Sequence, residues 1–69
     1  MNIKDIEKNT KEKIRVSIED FRGHRFVDCR VYFADNMGTW RPTRKGIALN
    51  SECIEDVIKA LQQASGNLE

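Results

Sequence analysis

A chain of 69 residues that carries two cysteines, Cys29 and Cys53, 24 positions apart, and one histidine, His24, has neither a disulfide framework nor the ligands of a tetrahedral zinc site. That absence constrains the fold more than any motif does. A single core of this size supplies little net stability against conformational entropy, so short domains ordinarily add a disulfide, a metal or a partner subunit. The expected supplement is therefore a second copy of the chain, and two-fold symmetric pairing is the commonest way to provide it. Both thiols are expected to be reduced and partly buried, and no cofactor or metal is called for.

Hydrophobic periodicity then divides the chain. Residues 1–12 mix Lys and Glu around Ile3 and Ile6 without a persistent period, are broken by Asn9-Thr10, and read as a mobile arm. Ile14, Val16 and Ile18 alternate with polar residues as in a half-buried strand. Glu19 to Gly23 reads as a turn. A longer strand follows from His24 to about Ala34, and Asp35 to Gly38 has hairpin-loop chemistry, with Gly38 suited to a left-handed position. Trp40-Arg41 begins a third strand. Pro42-Thr43 reads as a break before a fourth, Arg44 to Leu49, in which Gly46 suggests a bulge or a close backbone approach. Asn50 is a candidate N-cap. Ile54, Val57, Ile58, Leu61 and Ala64 recur at helical spacing, with Glu52, Glu55 and Asp56 near the positive end of the helix dipole and Ser65-Gly66 at its end. The domain thus spans 13–65, and 66–69 is a C-terminal tail whose Leu68-Glu69 looks like a cloning remnant. The expected fold class is α+β: a four-stranded antiparallel curved sheet followed by one C-terminal helix, as a homodimer. One amphipathic helix covers one face of a sheet, so the other face is where function is sought.

Charge is distributed unevenly. The formal net charge is +1, but residues 1–20 are neutral, 21–45 carry +4 and 46–69 carry −3. A basic middle segment in a nearly neutral protein is one form an electrostatic footprint for nucleic acid takes, and a solvated charged surface is the other. Single-strand binding needs cations that track phosphates and flat rings on which bases stack. Phe21, Phe33 and Trp40 are available rings, interleaved with Arg22, Arg30, Arg41, Arg44 and Lys45. The same rings also suit core positions with basic side chains along an edge, and composition and spacing do not choose between the two. Along the second strand Val27, Cys29, Val31 and Phe33 share the inward parity, unless a β-bulge between Arg30 and Phe33 brings Tyr32 inward and Phe33 out. Trp40 has the opposite parity to Arg41, so if Arg41 faces the ligand Trp40 is expected to pack inward or at the dimer seam, and the sequence leaves core packing and ligand contact both open.

The segments Ser17-Ile18-Glu19-Asp20-Phe21-Arg22-Gly23, Val27-Asp28-Cys29-Arg30 and Trp40-Arg41-Pro42-Thr43-Arg44-Lys45-Gly46-Ile47-Ala48-Leu49-Asn50 together resemble the transcriptional coactivator family called positive cofactor four, without gaps from about Lys13 to Ala64. The resemblance implies a dimer whose helices help form the interface, through Ile54, Val57, Ile58 and Leu61, and whose curved sheets present channels to single-stranded DNA. It implies aromatic and basic contacts at Phe21, Arg22, His24, Arg30, Phe33, Arg41, Arg44 and Lys45, and it favours the bulge that turns Phe33 outward. Two departures stand out. The eukaryotic members carry tryptophan at the position of Phe33, which reduces the stacking area here, and lysine at that of His24, which makes a phosphate contact there pH-dependent. Their Ser- and Lys-rich regulatory arm has no counterpart, so a compact prokaryotic or viral-type member is the better match.

The remaining alternatives are binding of single-stranded RNA, which uses the same stacking and phosphate contacts, and a protein-interaction module using an exposed sheet edge. An enzyme is the weakest option, since no nucleophile and base pair, metal cluster or phosphate-binding glycine loop is visible and no catalytic residue is assigned. Neither a membrane partner nor a small-molecule substrate is expected. The expected location is cytoplasmic or nucleoid-associated, or nuclear in a eukaryote.

Overall fold

A computed structural model of the chain describes residues 1–68. Four strands form one antiparallel sheet in chain order: β1 (Asn2–Glu7), β2 (Glu12–Phe21), β3 (His24–Ala34) and β4 (Trp40–Leu49), followed by α1 (Ile54–Gly66). The strand number and the C-terminal helix are as expected, but the strands are distributed differently. Trp40-Arg41 and Arg44 to Leu49 belong to one strand, because Pro42 stands on the edge strand of the sheet, where its missing amide costs no ladder bond. The fourth strand is instead β1, drawn from the residues read as a mobile arm.

The spacing of Ile3 and Ile6 explains why β1 shows no strand period. Its register slips between Asn2 and Lys4, so one extra residue enters the strand there. The bulge leaves Ile3 and Ile6 on the same side of the sheet although they are three apart. Ile6 lies opposite Ile14, and Ile3 borders the cleft under α1. Asp5 then binds β1 to β2. Its carboxylate accepts hydrogen bonds from Arg15 Nε at 2.8 Å and Nη2 at 3.1 Å, and Lys13 Nζ approaches at 2.8 Å. The hydrogen bonds from Arg15 and then Lys13 hold the Asp5 carboxyl far below its ordinary range.

The pairing of β2 with β3 is unbroken from Glu12 opposite Phe33 to Phe21 opposite His24. β2 therefore runs through Glu19 to Phe21, and only Arg22 and Gly23 make the turn, both at positive φ, with Asp20 Oδ1 accepting the Gly23 amide. Two central residues at positive φ are what the right-handed twist of a tight hairpin requires. The β3 to β4 loop is closed by Gly38 at φ 81° and by Asp35, whose Oδ1 accepts the Met37 and Thr39 amides at 2.9 Å each.

Alternation assigns the two sides of the sheet. Val16, Ile18, Val27, Cys29 and Leu49 face α1. The outer side carries Lys13, Arg15, Asp28, Arg30, Tyr32 and Trp40, with the Arg15 guanidinium 4.4 Å from the Tyr32 ring centroid and Lys13 Nζ 4.4 Å from that of Trp40. Trp40 is thus half-buried beneath a cation on the outer side, not packed inward.

α1 begins after a turn closed by Asn50, whose Oδ1 accepts the amides of Glu52 and Cys53 at 3.0 Å each. Asn50 caps that turn, while Cys53 occupies the cap position of α1 itself, where its thiol donates back to the Asn50 carbonyl at 3.7 Å and makes no capping bond to the helix. The helix runs through Gly66, one residue beyond the expected end of the domain. None of its side chains is buried, and Ile54, Val57, Ile58 and Leu61 border an open apolar cleft of about 410 Å³ between helix and sheet. Leu49, 6% exposed, is the one buried hydrophobic residue among those described.

Candidate nucleic-acid interface

The unbroken β2 to β3 register settles the side on which Phe33 stands. A register shift does fall between Arg30 and Tyr32, but on the β4 side: Arg30 lies opposite Gly46 and Tyr32 opposite Pro42, so three residues of β4, Thr43 to Lys45, stand against Val31 alone. β3 alternates throughout. Phe33 therefore keeps the parity of Val31, on the helix side, and Tyr32 stays on the outer side, contrary to the expected exchange. Phe33 is nevertheless 40% exposed. The residues beneath α1 extend along β3 only to Cys29, and the far end of this side is uncovered.

Around Phe33 the sheet gathers positive charge. Arg41 lies directly opposite it on β4, and Glu12 directly opposite on β2. Asn9 donates a hydrogen bond to Glu12 at 2.9 Å, and this bond, with the nearby Lys8 and Lys45, lowers the Glu12 carboxyl below its ordinary range. Arg41 Nε donates to Asp35 Oδ2 at 2.6 Å, which lowers the Asp35 carboxyl and holds Arg41 against the loop. Arg44 and Lys45 are both exposed, within the three-residue excursion of β4.

The other expected contacts lie elsewhere. Phe21, 62% exposed, Arg22 and His24 form the tip of the β2 to β3 hairpin, with the Arg22 guanidinium 5.1 Å from the Phe21 ring centroid. Phe33 lies nine positions along β3 from His24, about 30 Å of strand. Arg30 is on the outer side and fully engaged: Nε and Nη2 donate to Asp28 at 3.1 and 2.9 Å, and Nη1 donates to the Thr43 carbonyl at 3.0 Å. One chain thus brings Phe33, Arg41, Arg44 and Lys45 to one end, Phe21, Arg22 and His24 to the other, and leaves Arg30 between them on the opposite side. Sequence reasoning missed Lys13 and Arg15, whose pairing with Asp5 becomes visible only once β1 is known to be a strand.

The family model of the transcriptional coactivator p15 (PC4) matches residues 8–60. The chain belongs to the PC4 family. Among solved structures, a PC4 homologue from Burkholderia pseudomallei superposes on this PC4 chain in two crystal forms with TM-scores of 0.88 and 0.89 at 38% identity, covering 94% of the chain and 88% and 96% of the homologue. A bacteriophage T5 homologue of the eukaryotic coactivator PC4, implicated in recombination-dependent DNA replication, superposes with a TM-score of 0.76 over 97% of the chain and 78% of its own, at 23% identity, and shares the fold. The solved PC4 relatives named here are thus bacterial and phage proteins, in keeping with a compact prokaryotic-type member. No helix of the described residues is long and apolar enough to cross a membrane.

Proposed function

We propose that this PC4-family chain is a homodimer that binds single-stranded DNA with little sequence preference, bases stacking on Phe21 and Phe33 and phosphates meeting Arg22, His24, Arg41, Arg44 and Lys45, while Arg30 serves to brace β4 from the other side. The observation that carries the proposal is the exposed Phe33 ring beside Arg41 on a stretch of sheet that α1 leaves uncovered. A flat ring among cations serves a base and its phosphate together. The separation of the two clusters suits an extended strand of several nucleotides better than a compact ligand.

Pairing is supported by surface area. The chain exposes 5,891 Å², whereas a compact monomer of its mass exposes roughly 4,450 Å². The excess exceeds the ~800 Å² per partner that a standard interface buries. The radius of gyration, 13.6 Å, likewise exceeds the roughly 11 Å of a compact domain of this length. A second copy placing its own α1 stripe against the cleft accounts for both figures.

Fluorescence titration with labelled oligo-dT tests the proposal. Affinity should fall with salt at a slope of about −0.7 per neutralised phosphate. Phe33→Ala should lose about five- to a hundredfold in affinity with the slope unchanged, while Lys45→Ala should flatten the slope. Equal or tighter binding to intact duplex counts against the proposal, and a clear preference for matched RNA replaces DNA with RNA as the ligand.

A further inference from the structure

We infer that Thr43 is a positioning residue for strand binding: its side chain ties the β4 excursion to β3 so that Arg44 and Lys45 project from a fixed base. The inference rests on the proposed function for its ligand, but its geometry stands apart from it. Where three residues of β4 oppose one of β3, the backbone ladder loses its partners. The Thr43 hydroxyl supplies the missing ones. It donates to the Val31 carbonyl at 2.7 Å and accepts the Lys45 amide at 3.1 Å, bridging the strand to the residue that carries the charge.

The excursion is pinned at its other end by Gly46. A Cβ there would stand 2.8 Å from both the Cys29 carbonyl oxygen and Arg30 Cζ, so only glycine lets the Arg30 guanidinium lie against the β4 backbone. From that position Arg30 Nη1 reaches the Thr43 carbonyl, while Asp28 holds its other nitrogens. Thr43 is thus held through its hydroxyl and through its carbonyl, and Arg44-Lys45 is a two-residue step between anchored neighbours. A flexible excursion would have to be ordered each time a phosphate binds, and fixing it beforehand removes that entropic cost.

The test compares Thr43→Val, Thr43→Ser, Lys45→Ala and the Thr43→Val/Lys45→Ala pair in the full chain, by oligo-dT titration over a salt series and by hydrogen exchange of the Lys45 amide in the free protein. Thr43→Val should flatten the salt slope by about 0.7, the share of one phosphate, and speed exchange at Lys45. Thr43→Ser, which keeps the hydroxyl, should behave as the parent chain. The double variant should lose clearly less than the sum of the two single losses, only the share carried by Arg44 remaining to be lost once Lys45 is gone. Full additivity of the two losses, or an unchanged slope in Thr43→Val, overturns the inference. If Thr43→Val does not fold, Thr43→Ala takes its place against Thr43→Ser. A parent chain that binds no oligo-dT sinks the proposed function only. The brace is then judged by exchange alone, and unaltered protection of the Lys45 amide without the hydroxyl overturns it.

Discussion

Arg22 and Asp35 each carry a tension between folding and binding. Arg22 sits at φ 53° at the hairpin tip, a conformation that costs a side chain with a Cβ roughly 1 kcal/mol and that asparagine tolerates better before a glycine. Arg22→Asn should therefore raise stability by up to about 1 kcal/mol in thermal denaturation while weakening oligo-dT binding. A loss of stability would mean that the contact with the Phe21 ring matters more than backbone strain. Asp35 holds Arg41 with one oxygen and the loop amides with the other. Asparagine keeps an oxygen for the amides and removes the charge that competes with a phosphate. Asp35→Asn should bind oligo-dT more tightly, with a salt slope steeper by up to about 0.7. Weaker binding would show that Asp35 orients Arg41 for the ligand.

At the scale of elements, β1 depends on one carboxylate. Because the folded state holds Asp5 ionised far below its ordinary value of 3.8, its contribution is complete above that pH and is lost as the pH falls toward the folded value. Asp5→Asn should lower stability at neutral pH, speed amide exchange along Asn2–Glu7, and make stability fall less steeply on acidification. An acid limb as steep as that of the parent chain would assign acid sensitivity to other carboxylates. The same strand shows where sequence reading reaches its limit. β3, the Gly38 loop and α1 were legible because alternation and helical spacing are local signals that the fold leaves intact. β1 was illegible because its bulge sets Ile3 and Ile6 three apart, a spacing that matches neither period. Phe33 was placed among the exposed residues correctly but for another reason: the expected bulge in β3 is an excursion of β4, and exposure comes from the short reach of α1. The residues of the candidate interface were read from composition and family resemblance. Their division between two ends of β3 follows from pairing register, which no local pattern encodes.

For the molecule as a whole, the apolar stripe of α1 over a half-empty cleft is the main stability problem. Leu61 is 64% exposed in the single chain, where a glutamate would be close to neutral. In a dimer the same change places a charge in the seam between copies. Leu61→Glu should therefore lower the melting temperature and abolish the species of twice the 8.0 kDa chain mass in sedimentation. A parent chain that sediments as a monomer with a concentration-independent melting point overturns the dimer.

If pairing completes the core, the uncovered helix makes the protein a sensor of its own abundance. At low expression most chains lack a partner and are neither well folded nor able to hold a strand, and the binding-competent form grows with the square of chain concentration. Synthesis rate and proteolysis of unpaired chains then set a threshold for activity, without a ligand or a modification to impose it.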